Sequence, residues 1–155
     1  MARLYPTQPI VGVGAVVISS DRILLIKRKN EPGKGKWSIP GGKVELGEKA
    51  EQATIRETKE ETNLTVSSPQ LIDVVNSIEF DELGKVRYHF VIIDYLVRVT
   101  GGASSASSDA AELRWVNFED VESYDLTSTF REFFRRNSQK IRESGRHEDH
   151  PTLTS

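Results

Sequence analysis

The chain has 155 residues, which is enough for one domain with a buried core. Its formal net charge of −2 provides no general attraction to nucleic acids or acidic membranes. There is no cysteine, which excludes disulfides, thiolate metal sites and a cysteine nucleophile. Because no apolar run approaches the roughly 20 residues that cross a bilayer, we expect a cytoplasmic protein.

Stretches rich in Val and Ile predict five strands, at Ile10–Ser19, Arg22–Arg28, Leu71–Phe80, Val86–Val99 and Glu112–Phe118. Turn chemistry predicts tight hairpins at Ser20–Asp21 and at Phe80–Lys85. The small, polar segment Thr100–Asp109 is expected to be a loop.

Two helices are predicted, from about Ala50 to Thr62 and from Thr127 to about Ile141, where aromatic residues recur at helical spacing. Residues 142–155 are polar and aperiodic, so we expect a disordered tail after a single domain at residues 1–141. Hairpins combined with a helical crossover indicate an α/β fold in which a mixed sheet lies between helices.

The first predicted helix carries three glutamates, Glu57, Glu60 and Glu61, within little more than one turn. Like charges at this spacing repel by a few tenths of a kcal/mol per pair. The face is therefore either simply solvated or opposed by a strongly positive group. Clustered carboxylates without His or Cys suit Mg²⁺ or Mn²⁺. More oxygen ligands precede the helix, because Gly41 can expose its carbonyl and Glu48 lies on the next loop.

The spacing of the whole segment favours the metal. It reads Gly42, five residues, Glu48, seven residues, Arg56-Glu57, Thr58, Lys59, Glu60-Glu61, Thr62, Asn63, Leu64. This resembles the Nudix box, the 23-residue signature of the Nudix hydrolase family, with every charged position filled. Two residues depart from that pattern. Thr58 replaces an aliphatic residue, and Asn63 replaces a glycine at a left-handed helix C-cap, where Asn is the next-best residue.

The resemblance implies a Nudix-type α/β/α sandwich that hydrolyses a nucleoside diphosphate linked to another moiety, using Mg²⁺ or Mn²⁺. Carried over by position, the implied metal ligands are Glu57, Glu60, Glu61, the Gly41 carbonyl and Glu48. Arg56 would orient a box carboxylate. The general base stays open between a box glutamate, Glu57 or Glu60, and an acid near the late loop, Asp109 or Glu112. The alternative role of the two late acids is to cap a helix or strand.

Flanking segments are similar to those of ADP-ribose pyrophosphatases, among them IKRKNEPGKGKW and YHFVIIDYL. The Gly/Ser-rich loop at Gly101–Ser108 has no basic cluster beside it, which fits a sugar better than a third phosphate. ADP-ribose, cleaved to AMP and ribose 5-phosphate, is therefore the expected substrate. Lys27, Arg28 and Arg87 are candidate phosphate contacts, and Trp37 is a candidate for stacking on a base. Their alternative roles are solvated strand faces and core packing.

Two other functions stay open. The first is a house-cleaning nucleoside triphosphate pyrophosphatase that acts on canonical or oxidised nucleotides. The second is a non-catalytic nucleotide sensor, although such proteins normally lose box carboxylates and this chain has them all. The expected partner is a small-molecule nucleotide, with no nucleic acid and no membrane, and a homodimer is left open.

Overall fold

The computed structural model describes residues 4–105 and 110–149. Over these residues the elements are, in chain order, β1 (Ile10–Ser19), β2 (Arg22–Arg28), β3 (Trp37–Ser38), β4 (Gly41–Lys43), α1 (Ala50–Thr62), β5 (Thr65–Phe80), β6 (Val86–Gly101), β7 (Ala110–Asn117), a 3-10 helix (Phe118–Ser123) and α2 (Ser128–Asp149).

The strands form one mixed sheet in the order β3-β2-β1-β6-β5, with β4 paired to β1 and β7 paired to β2. β1 runs parallel to β6 and antiparallel to β4, whereas β5 and β6 form a long antiparallel hairpin. These pairings align Asp73, Asp94, Gly14 and Gly41 in one row across four strands. The row connects the middle of the sheet with β4, which lies directly before α1.

The two helices cover opposite faces of the sheet. Successive strand residues point to opposite faces, so Val13 and Ala15 of β1 pack with Ala53 of α1. Val16 and Ile18 instead pack with the aromatic residues of α2, which are Phe130, Phe133 and Phe134. The predicted α/β fold, with a mixed sheet between helices, is confirmed.

Helix α2 is longer than the sequence indicates. It continues to Asp149, whereas its predicted end is near Ile141, so the predicted boundary between domain and tail falls inside a helix. Gly145 is buried at this extension, where an added Cβ would lie 2.5 Å from the backbone oxygen of Ser20. The guanidinium carbon of Arg142 lies 5.9 Å from the ring centre of Phe118. In the polar extension, Gly145 therefore packs on the β1–β2 turn, and the Arg142 guanidinium packs on Phe118 at the start of the 3-10 helix.

Strand β5 begins at Thr65, six residues before its predicted start. The early part is irregular, because Ser68 has a positive φ of 52° and the pairing with β6 shifts between Ser67 and Gln70. The strands β3 and β4 were not predicted, since two or three residues are too few to show an alternating pattern. No helix in the described part of the chain is long and apolar enough to cross a membrane.

Candidate active site

Two glycines bring the backbone of β4 against the carboxylates of α1. The amide of Gly41 donates a hydrogen bond to Oε1 of Glu61 over 2.7 Å, and Glu61 is buried. At Gly42 an added Cβ would lie 2.2 Å from the carboxylate carbon of Glu57. Any side chain at Gly42 would therefore displace the Glu57 carboxylate. The glycine pair allows strand and helix to approach closely at the point where the acids gather.

Arg56 connects the remaining acids. Its Nε and Nη2 donate to both carboxylate oxygens of Glu48, over 2.8 and 2.9 Å. Its Nη1 donates to Glu57 over 2.7 Å and to Glu60 over 3.2 Å, and Nη2 also reaches the Lys43 carbonyl at 3.0 Å. One guanidinium thus holds three carboxylates, in the forked geometry that favours arginine.

These hydrogen bonds explain how the acidic helix tolerates its like charges. The hydrogen bond from Arg56 holds the pKa of the Glu48 carboxyl at about 2. In turn, Glu48 and then Glu57 raise the pKa of Arg56 above its usual value. In this structure, the positive group that opposes the carboxylates is Arg56.

The three box glutamates are held by different partners. Within residues 4–105 and 110–149, no three Asp, Glu or His side chains are arranged to hold one metal ion. The reason is that Arg56 draws Glu57 and Glu60 together, while Glu61 bonds to the Gly41 amide. The donor chemistry still fits a hard divalent ion, because carboxylate oxygens and the backbone of β4 meet here without nitrogen or sulfur ligands.

Arg28, at the end of β2, lies near this cluster. Burial lowers the pKa of its guanidinium, and the negative charges of Glu61 and Glu31 oppose that effect. Its Nε donates to the Pro32 carbonyl over 2.6 Å, which holds the side chain in place. Of the predicted phosphate contacts, Arg28 is the one that the structure places beside a box carboxylate.

The late acids are placed differently. Glu112 contacts Lys27 at 3.8 Å and Arg114 at 3.3 Å. Its neighbours on β7, Leu113 and Trp115, pack in the core on the α1 side, so Glu112 points to the opposite face of the sheet. The Lys27 side chain, which pairs with Glu112, therefore also lies on that face. Asp109 lies outside the described residues.

The structure does not bring Trp37 or Arg87 to the acidic cluster. Trp37 is 7% exposed, with the ring of Tyr124 packed edge-on at 5.3 Å and Arg114 over its face at 5.2 Å. Arg87 pairs with Glu79 at 3.5 Å near the far end of the β5–β6 hairpin. Seven residues of strand separate it from Asp94, which is roughly 20 Å.

One charged residue near the centre of the sheet was missed by the sequence analysis. Asp94 is 3% exposed, and burial followed by the charge of Asp73 raises the pKa of its carboxyl to about 7. It lies opposite Gly14, where an added Cβ would be 2.1 Å from its Oδ1. The available signal was an acid in the middle of the apolar run VIIDYL, in a chain with a glycine-containing strand to pair with it.

Comparisons with known proteins agree with this arrangement. A family model described as the NUDIX domain matches residues 8–136. An ADP-ribose pyrophosphatase of Methanocaldococcus jannaschii is 36% identical over 135 residues, which cover 86% of this chain and 77% of the relative. A putative 8-oxo-dGTP diphosphatase of Bacillus subtilis is 36% identical over 108 residues, 67% of this chain and 65% of the relative. The crystal structure of a MutT NUDIX hydrolase from Burkholderia pseudomallei superposes with a TM-score of 0.69 at 35% identity, covering 80% of this chain and 94% of that one.

A mixed sheet between two helices, with an arginine-bridged acidic helix beside a glycine pair, defines the class of protein as a Nudix-type α/β/α sandwich. The chain belongs to the NUDIX family and is a hydrolase of that family. Enzymes of this family act on small nucleotide substrates and generally use divalent metal cations.

Proposed function

We propose that this protein hydrolyses a nucleoside diphosphate linked to another moiety, and that its preferred substrate is ADP-ribose, which it cleaves to AMP and ribose 5-phosphate. The observation that carries the proposal is the match to the ADP-ribose pyrophosphatase of M. jannaschii, which covers most of both chains. All the charged positions of the box lie within that matched domain.

The proposed metal ion is Mg²⁺ or Mn²⁺, held by Glu57, Glu60, Glu61 and the Gly41 carbonyl, with Glu48 as an additional ligand. When bound, the ion would neutralise charge on the diphosphate and make water a better nucleophile. Arg56 positions these ligands, because it holds Glu48 through two hydrogen bonds and can release Glu57 and Glu60 without losing its anchor.

We assign the proton acceptor to the box rather than to Glu112. Glu112 is paired with two cations and points to the sheet face opposite α1. Of the box acids, the side chain of Glu60 is 46% exposed whereas that of Glu57 is 15% exposed, so water reaches Glu60 more readily. Asp109 stays as the alternative acceptor.

The loop after β6 supports a sugar-bearing substrate. Asn63 donates from Nδ2 to the carbonyl of Ala103 over 3.1 Å, and the amide of Ser105 donates to the carbonyl of Thr62 over 2.9 Å. The loop at residues 102–105 is thereby fastened to the end of α1; it contains no cation itself, and the lysine beside it, Lys59, donates to the Asn63 carbonyl over 3.2 Å. A third phosphate would need positive charge here, whereas a ribose needs room and hydrogen-bond partners.

Arg28 is the proposed contact for a substrate phosphate. Its guanidinium is partly buried beside Glu61 and is held at Nε, which leaves the terminal nitrogens to face an anion. Removing that charge with Arg28→Gln is expected to raise KM more than it lowers kcat.

The deciding experiment measures kcat/KM with Mg²⁺ for ADP-ribose and for a set of nucleoside triphosphates, with the products identified. We expect AMP and ribose 5-phosphate, and at least about a tenfold preference for ADP-ribose. A tenfold preference for any triphosphate, with release of pyrophosphate, would overturn the choice. Asp109→Asn is measured in parallel: a kcat lowered by orders of magnitude assigns the proton acceptor to Asp109, whereas a kcat close to that of the wild type assigns it to the box.

The second candidate function is hydrolysis of an oxidised nucleoside triphosphate. It is favoured by the similarity to the putative 8-oxo-dGTP diphosphatase of B. subtilis, which is as identical to this chain as the archaeal relative but over a shorter stretch. The same substrate set, with 8-oxo-dGTP included, separates the two candidates.

A further inference from the structure

The carboxylate of Asp94 has no hydrogen-bond donor in the described part of the chain. Only burial, Asp73 and Arg136 influence it, and none of these supplies a hydrogen bond. Among the described residues, every fully enclosed side-chain oxygen has a hydrogen-bond partner. Because the Asp94 oxygens have none, they are not fully enclosed. They therefore keep a small contact with solvent, although the residue is only 3% exposed. An ionised carboxylate has about four acceptor positions, and leaving them all unfilled is costly.

The nearest cation is already engaged elsewhere. Arg136 donates to Oδ2 of Asp73 over 2.8 Å, and Asn137 donates to the same oxygen over 2.8 Å. On its other side Asp94 meets Gly14, which offers no side chain, and the δ-methyl of Ile39 lies close to the same glycine. The acceptor positions of Asp94 are therefore left available to a ligand.

Asp94 also lies at a useful distance from the proposed diphosphate position. Gly41, Gly14 and Asp94 are neighbours on three adjacent strands, so Gly41 and Asp94 are two strand spacings apart, roughly 10 Å. Gly41 holds Glu61, whereas Asp94 points to the α2 face, because the next residue on β6, Tyr95, packs on the α1 side. β4 is a short strand at the edge of this part of the sheet, so a ligand held beside Gly41 can continue past that edge to the α2 face.

We propose that Asp94 is a specificity-determining residue whose carboxylate accepts hydrogen bonds from adjacent donors on the nucleoside part of the substrate. The proposal rests on the proposed function for the position of the diphosphate. On a purine nucleotide, a pair of adjacent donors that fits one carboxylate is present at the ribose cis-diol and, in guanine only, at N1–H with the 2-amino group. Gly14 is required because any side chain there would occupy the place of the carboxylate.

The test measures binding by titration calorimetry, independently of hydrolysis. The full-length chain is titrated in Mg²⁺ with AMP, 2′-deoxy-AMP, IMP and GMP, and with inorganic pyrophosphate as a probe of the metal site alone. If Asp94 accepts hydrogen bonds from the ribose diol, AMP binds at least about tenfold more tightly than 2′-deoxy-AMP. If Asp94 instead accepts from the guanine edge, GMP binds at least about tenfold more tightly than IMP, which lacks the 2-amino group. In Asp94→Asn that preference falls to about twofold or less, while pyrophosphate binding is unchanged.

Three results would overturn the proposal. They are equal binding of all four nucleotides by the wild-type chain, an unchanged preference in Asp94→Asn, or equal weakening of nucleotide and pyrophosphate binding. Gly14→Ala is the second variant, because it crowds the carboxylate without removing it and should reduce the same preference. Asp125→Asn is the matched control, since it removes an exposed carboxylate that lies 3.9 Å from Lys36 and should leave the preference intact. Selective nucleotide binding without hydrolysis of ADP-ribose would instead refute the proposed substrate and leave Asp94 supported.

Discussion

Replacing Asp94 with asparagine should remove a loss of stability that the wild type suffers as the pH rises towards neutral. The carboxylate is buried in the middle of β6, and the charged groups that face it are Asp73 on β5 and Arg136 on α2. The β1 residue opposite Asp94 is Gly14, which carries no charge. Ionising Asp94 inside the fold is therefore unfavourable, whereas it ionises freely in the unfolded chain.

The direction in which stability changes with pH follows from the pKa of Asp94 in the folded and unfolded states. Burial raises the pKa of Asp94 from 3.8 to about 7, so the folded state binds its proton more tightly. The stability that Asp94 contributes is fully present at pH values below its pKa in the unfolded chain. It is lost as the pH rises through its pKa in the folded chain. The total loss is on the order of 4 kcal/mol, because each pKa unit corresponds to about 1.4 kcal/mol. About 2 kcal/mol of it arises between pH 5 and pH 7.

The assay is urea unfolding of both proteins at pH 5, 6, 7 and 8, followed by circular dichroism. The quantity to compare is the difference in unfolding free energy between Asp94→Asn and wild type, which removes the contributions of all other titrating groups. This difference should shift in favour of the variant by about 2 kcal/mol from pH 5 to pH 7 and then level off. A difference that stays within about 0.5 kcal/mol over the whole range would refute the reasoning.

Three further predictions concern the box and α2. Gly42→Ala should fold but lose most of its activity, because the new Cβ meets the Glu57 carboxylate. Gly41→Ala should instead lose stability, because its Cβ would lie 2.1 Å from a β1 carbonyl oxygen. Activity and melting temperature, measured on both variants, separate the two effects. Mg²⁺ should raise the melting temperature of the wild type, since ligands that bind only the folded state stabilise it, and Glu60→Gln should reduce this gain; an equal gain would contradict its assignment as a ligand. Truncation after Ile141 should lower stability by about 1–2 kcal/mol in urea unfolding, since it removes the contacts of α2 with the β1–β2 turn, and no change would show that this packing is unimportant.

Local sequence patterns were sufficient to predict most of the secondary structure. Helix α1 spans Ala50–Thr62 as predicted, and its C-cap Asn63 has a φ of 65°, the left-handed conformation expected where a glycine is replaced. β1 and β2 match their predicted bounds, because apolar content and a two-residue turn determine them locally. The end of α2 could not be predicted in the same way, since Gly145 stabilises the extension through a contact with Ser20, more than one hundred residues away in the chain.

The site was predictable in its composition but not in its contacts. Helical spacing places Glu60 within reach of Arg56, and the structure contains that pair. The stronger interaction, two hydrogen bonds from Arg56 to Glu48, depends on how the loop before α1 folds back and has no signature in the spacing of the residues. Asp94 could not be recognised for a similar reason, because its partner Gly14 is eighty residues earlier and only the parallel pairing of β1 with β6 brings them together.

The two groups of acids differ in how their charge is balanced, and this difference separates their proposed roles. Glu48, Glu57 and Glu60 share the guanidinium of Arg56, whose positive charge balances theirs at the surface of the sheet, where a divalent ion can compete for them. Asp94 has no cation of its own, because Asp73 engages Arg136, and its charge is disfavoured by burial. Acids that share a guanidinium suit a metal ion, because a metal ion binds carboxylates in their ionised form. An acid in the position of Asp94 gains most from a ligand that brings neutral hydrogen-bond donors, since these satisfy its oxygens without requiring a second buried charge.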